Sequence, residues 1–148
     1  LVDRAMRKRR RGRAGALSLI PTSTGAAEAT IRAMPELEGK MDAIAIRAPV
    51  PDGAITDIVA RLRDAVTVES VVDAFRKAAA GPMKGILACS DEELVSADII
   101  GDPHSGIFDA PSTRVLAGHT VKVLIWYDNE YGYAARLLDL ARYIAAKG

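Results

Sequence analysis

Apolar and polar positions alternate twice in the first half of the chain. In Lys40–Val50, Ile44, Ile46, Ala48 and Val50 share one face, and Arg47 lies on the other with small alanines. In Ala54–Val66, Ile58, Ala60 and Leu62 oppose Asp57, Arg61 and Arg63. The PVPDG between them is strong turn chemistry, so the pattern predicts a pair of long antiparallel strands, each half buried. Val68–Ala80 changes to helical spacing through Val71, Val72, Phe75 and Ala79, and Gly81-Pro82 stops it. A helix is also expected from Gly25, with Ser23 or Thr24 as its cap and Pro35 as its end.

Short strands are expected over Gly85–Cys89, Gly106–Phe108 and Thr113–Leu116, with a turn or short helix opening at Asp91. Val121–Tyr127, VKVLIWY, reads as a central strand buried on both faces. From about Glu130 a last helix carries Tyr133, Leu137, Leu140, Ala141 and Ile144 on one stripe. Strands outnumber helices and the connections resemble hairpins. The fold class expected is α+β: a mostly antiparallel, mixed sheet with helices packed on one face, ending in a long C-terminal helix.

Composition changes this picture in three places. Nearly half of the 148 residues are hydrophobic and few are aromatic, so the core should be aliphatic. No apolar run reaches membrane-span length and no apolar stretch follows the basic N-terminus, which argues against a membrane span and a secretory signal. The net charge of +1 conceals a basic head: Arg4, Arg7, Lys8, Arg9, Arg10, Arg11 and Arg13 face a single acid, Asp3, and the rest of the chain is net acidic. The single cysteine fits a reducing compartment. The leading Leu1 suggests a processed product or one segment of a longer reading frame.

Five stretches could carry chemistry. IPTSTGAAEAT places Thr22, Ser23, Thr24 and Gly25 at a helix start, where free N–H groups and hydroxyls suit an anion, although plain capping explains the same residues. Arg47, on a strand of small residues, could point a planar cationic fork at a phosphate or simply face solvent. RKRRRGR could hold a polyanion or be a solvated loop. Cys89, His104 and His119 are too scattered for a zinc signature, and Cys89 reads as a small buried hydrophobe. WYDNEYGY offers Asn129, a donor and acceptor suited to a carboxamide, among Tyr127, Tyr131 and Tyr133, with Asp128 or Asn129 as the alternative helix cap.

The succession RRGRAGALSLIPTSTGAA, IRAPVP, GPMKGIL, SADIIGDPHSGIFDA and VKVLIWYDNEYGY resembles phosphorylating glyceraldehyde-3-phosphate dehydrogenase from about Arg10 onward. The resemblance implies a fold like that family's C-terminal domain. Residues 1–13 would be the tail of a loop reaching toward a neighbouring subunit, and 14–148 a partial catalytic domain with its last helix from about 130. By position, Thr24 and Gly25 would bind the attacking inorganic phosphate, and Arg47 would touch it and the substrate phosphate. Asn129 would hold the nicotinamide carboxamide of NAD, with Tyr127 and Tyr133 lining that pocket. In that family a cysteine attacks the aldehyde, a histidine takes the proton, hydride passes to NAD, and phosphate displaces the acyl group. The S-C-T-T-N and H-A-Y-T strings that supply nucleophile and base are absent, as is a G-x-G-x-x-G loop, so the NAD-binding domain lies outside this sequence and the chain alone is expected to be inactive.

Gly106, Glu28 and Ala134-Ala135 also depart from the usual pattern. The implied setting is a cytoplasmic homotetramer acting on glyceraldehyde 3-phosphate, without membrane and without nucleic acid. Erythrose-4-phosphate dehydrogenase shares the scaffold. A non-catalytic binding or assembly module is the alternative from another class.

Overall fold

The computed structural model describes residues 5–13 and 16–148. Arg4 of the basic run, and Ala14, where the catalytic portion is expected to begin, lie outside them. The chain divides into two compact units, residues 1–51 and 52–148.

In the first unit the basic run closes into a short 3-10 turn at Arg9–Gly12. Strand β1 (Ile20–Ser23) then leads into helix α1 (Ala26–Ala33). Met34 caps α1 at its C-terminus, and Pro35, which cannot continue an α-helix, starts a 3-10 turn instead. Strand β2 (Ile44–Arg47) pairs antiparallel with β1, Ile20 against Arg47 and Ser23 against Ile44.

The second unit holds β3 (Ala54–Arg61), α2 (Val68–Ala80), β4 (Leu87–Ser90), β5 (Gly106–Leu116), β6 (Thr120–Tyr127) and α3 (Tyr131–Ala145). The sheet order is β3-β6-β5-β4; the β3–β6 and β6–β5 pairs are antiparallel and β5–β4 is parallel. This is the mixed, mostly antiparallel α+β sheet that the pattern predicts.

The core is a single layer between α2 and the sheet. Val71 and Val72 of α2 meet Leu87, Phe108, Val121 and Val123, and Phe75 stacks on Phe108 with ring centroids 4.0 Å apart. Helix α2 spans the expected residues because its ends are locally encoded. Thr67 and Ser70 form a reciprocal capping box, and Gly81 takes the last carbonyls.

The expected β2–β3 hairpin does not form: β2 pairs with β1, and β3 with β6. Pro49 and Pro51 remove two ladder donors between them, and Gly53 at φ +88° turns the chain away. The strand expected at Gly85 begins instead at Leu87, after Gly85 at φ +76°, and the helical turn after Asp91 is displaced to Ser96–Ile99. The two strands expected in 106–116 are one, with its register broken between Asp109 and Arg114 around Pro111. Strand β6 is central, but only Val121 and Val123 on its α2 side are buried; the intervening residues are half-exposed. The α3 stripe is exposed at Tyr133, Leu137, Leu140 and Ile144.

Candidate functional site

In the first unit, β1 delivers Thr24 and Gly25 to the start of α1. Thr24 Oγ1 accepts the Ala26 N–H at 3.1 Å, so the hydroxyl partly satisfies the first helical turn. Gly25 is the N-cap and makes no side-chain bond; a Cβ placed there would meet nothing within 4 Å. That side of the helix start is open, and its unpaired N–H groups and dipole favour an anion.

Two cations of the basic run sit on this string. Lys8 Nζ donates to Ser23 Oγ at 2.6 Å, and Arg11 Nε donates to Thr22 Oγ1 at 2.8 Å, with Nη2 reaching the Ser23 carbonyl at 3.4 Å. Sequence reading did not single out either residue for this place. The basic run signals cations, but only the return of the chain into β1 shows where they land. Arg47, the expected phosphate ligand, stands level with Ile20 at the other end of the β1–β2 ladder. Thr24 is four residues along, roughly 13 Å at the usual strand rise. Strand register therefore holds Arg47 away from the Thr22–Ser23 hydroxyls, which Lys8 and Arg11 reach instead.

In the second unit, β6 ends at Tyr127 and the chain turns through Asp128, Asn129 and Glu130 into α3. Asp128 is buried, and both its oxygens are engaged by backbone. Oδ1 accepts the N–H groups of Glu130 at 2.9 Å and Tyr131 at 2.7 Å; Oδ2 accepts the Gly101 N–H at 2.8 Å. These N–H groups, that of Gly101 foremost, hold the carboxyl below its ordinary range against the opposing effect of burial. Asp128, one of the two caps the sequence offered, thus serves the entry to α3 from two residues before its N-cap, Glu130. Asn129, between the clamped residues, is exposed, and its amide has no side-chain hydrogen-bond partner among the described residues. Tyr127 is half-buried on β6; Tyr131 and Tyr133 are exposed on the first turn of α3.

The same turn is tied to the 101–105 segment. Arg136 donates to Ser105 Oγ at 3.3 Å and to the Pro103 carbonyl at 3.4 Å, and Gly132 packs on the His104 carbonyl. His104 Nδ1 lies 2.7 Å from Asp102 Oδ1. Carboxylate oxygens of Asp52, Asp128 and Glu130 lie within 4.8 Å of one another, but those of Asp128 already serve the backbone.

Cys89 lies against the core on β4. Burial pushes its thiol up, with Arg76 opposing, so it is not primed as a thiolate. The described residues therefore present an exposed, unpartnered side-chain amide at Asn129 and an anion-suited helix start. They present no activated sulfur nucleophile.

Residues 1–129 match the family described as glyceraldehyde 3-phosphate dehydrogenase, C-terminal domain. A glyceraldehyde-3-phosphate dehydrogenase of Haloarcula vallismortis is 53% identical over 144 residues, covering 97% of this chain and 43% of that protein. Those of Priestia megaterium and Geobacillus stearothermophilus are each 51% identical over 148 residues, covering all of this chain and 44% of theirs. The chain spans less than half the length of these relatives.

Proposed function

The chain belongs to the glyceraldehyde-3-phosphate dehydrogenase family, to its C-terminal domain, and on that footing we propose that it supplies the phosphate-binding and carboxamide-reading part of an NAD-dependent aldehyde dehydrogenase. The observation that carries this reading is Asn129. Its neighbours are fixed by Asp128, while its own amide stays exposed and uncommitted, which is what a carboxamide reader requires.

In this reading Asn129 holds the nicotinamide carboxamide beside Tyr127 and Tyr133, with bound NAD supplying the hydride acceptor. Thr24 and Gly25 hold inorganic phosphate, Arg47 serves the phosphate groups, and Lys8 and Arg11 add positive charge next to the Thr24 string. Nucleophile, base and most of the NAD contacts come from residues other than these. The natural setting proposed is a cytoplasmic homotetramer acting on glyceraldehyde 3-phosphate. Residues 1–13 form the loop toward a neighbouring subunit.

The test is a chimera in which this chain replaces the matching C-terminal part of the Geobacillus stearothermophilus relative. It should reduce NAD with glyceraldehyde 3-phosphate and phosphate, while the 148-residue chain alone should not. A folded, NAD-binding chimera without turnover would overturn the proposal. Running erythrose 4-phosphate in parallel assigns the substrate.

The exposed stripe of α3 favours a second reading, an assembly module without catalysis. It predicts that the chain binds full-length subunits even though the chimera is inactive.

A further inference from the structure

Asn129 can read a ligand only if its backbone is held, and one residue does most of the holding. The Asp128 carboxylate spans three pieces of chain: its own turn, the first turn of α3 through the N–H groups of Glu130 and Tyr131, and the 101–105 segment through Gly101 N–H. All three bonds are 2.7–2.9 Å long, as expected when an ionised acceptor meets a backbone donor. The donors Glu130 and Tyr131 follow Asn129 directly, and the acceptor precedes it, so the backbone on both sides of the amide is fixed from one carboxylate. The third bond anchors that turn to a segment 27 residues away in sequence. Gly132 packed on the His104 carbonyl, and Arg136 on Ser105, brace the same junction.

Resting on the reading of Asn129 given above, we propose that Asp128 is the positioning residue for Asn129, acting on cofactor orientation without touching cofactor or substrate. A carboxylate is required here, because both oxygens accept. Asparagine would keep one acceptor but turn an NH2 toward a backbone N–H.

Two measurements test this. In the 148-residue chain, Asp128→Asn should accelerate hydrogen exchange at Gly101, Glu130 and Tyr131 while leaving the core amides of Val121 and Val123 protected. Unchanged exchange at those three amides would overturn the clamp. In the chimera, Asp128→Asn should lower kcat/KM for NAD between about tenfold and 100-fold, the scale of a small misplacement at a reacting group. It should also leak labelled hydride to the wrong nicotinamide face, with KM for phosphate unchanged. Asn129→Ala should show the same signature, and the double variant should be no worse than the worse single one. Multiplying effects, or loss of rate with full stereochemical fidelity, would sink the positioning role. An inactive parent chimera would refute the reading of Asn129 and with it the catalytic meaning of Asp128; the exchange experiment would still decide whether the clamp exists.

Discussion

Replacing Gly132 by alanine opposes two effects of known sign. Gly132 lies in the first turn of α3, where alanine is the better helix former by at most about 1 kcal/mol. A Cβ at this position, however, would sit 2.6 Å from the His104 carbonyl oxygen and 3.3 Å from its carbon. Both are backbone atoms, and the segment that carries them is itself held by Gly101 N–H on Asp128 and by Arg136 on Ser105. Neither side can yield by rotating a side chain. Forcing extra atoms into a fitted contact costs typically about 1–3 kcal/mol, so the clash outweighs the propensity gain. Gly132→Ala should destabilise the chain by up to about 2 kcal/mol, the difference between those terms. Urea unfolding followed by the fluorescence of Trp126, the only tryptophan, reads this directly. Hydrogen exchange at Tyr131 should rise in parallel. A variant more stable than the parent would refute the reasoning, because propensity alone would then decide and the contact with His104 would carry no weight.

Phe108→Ala should cost about 3–5 kcal/mol in the same titration, since the ring is fully buried and stacked on Phe75. Thr113→Val should raise stability by about 1 kcal/mol or more, because the buried Thr113 Oγ1 has no partner among the described residues and its removal ends a desolvation cost; a loss would imply a hydrogen bond after all. Cys89 should react with a thiol reagent at neutral pH more slowly than a free thiol and speed up only at high pH, as its raised pKa requires. Asp128, whose pKa is lowered on folding, stabilises fully above the ordinary Asp value of about 3.9 and loses that contribution as pH falls through the lower folded value. The Gly101, Glu130 and Tyr131 amides should therefore open on acidification below about pH 4, where the carboxylates of Asp52 and Glu130 lie close to that of Asp128.

What was legible in the sequence follows the range of the interactions. Helix α2 was readable end to end from its apolar spacing and Gly81-Pro82, which are local signals, and the Thr67–Ser70 box that the structure adds is local too. Strand pairing was not. The alternation of residues 40–50 and 54–66 suggested that they pair with each other, whereas β2 needs β1 and β3 needs β6, choices made across distant segments. The site divides in the same way. Thr24, Gly25 and Asn129 stood out from motif and resemblance, and Asp128 as a cap was visible because two of its partners are two and three residues on. Its third partner, Gly101, could not be read from the chain. Nor could the landing of Lys8 and Arg11 on Thr22 and Ser23, or Arg47 at the far end of the ladder.

Helix α3 shows what periodicity measures and what it leaves out. A stripe of Leu137, Leu140 and Ile144 at helical spacing says that one face is built for cover, and each of these side chains nevertheless stays at least half exposed. Ile44 and Ile46 on β2 and Val59 on the edge strand β3 are exposed as well. Scattered apolar residues on a surface need no explanation, but a continuous stripe on a fifteen-residue helix does. The first turn of that helix is held by polar means, through Asp128, Gly132 and Arg136, so its direction is set before any apolar cover is in place. This order suits the proposed role. In that role a turn fixed by hydrogen bonds would keep Asn129 aimed, while the stripe beyond it would be free to take up an apolar partner surface. If the stripe instead set the direction of the helix, polar substitutions at Leu137 and Leu140 would loosen the Tyr131 amide as much as Asp128→Asn does. On the present argument they should leave it protected.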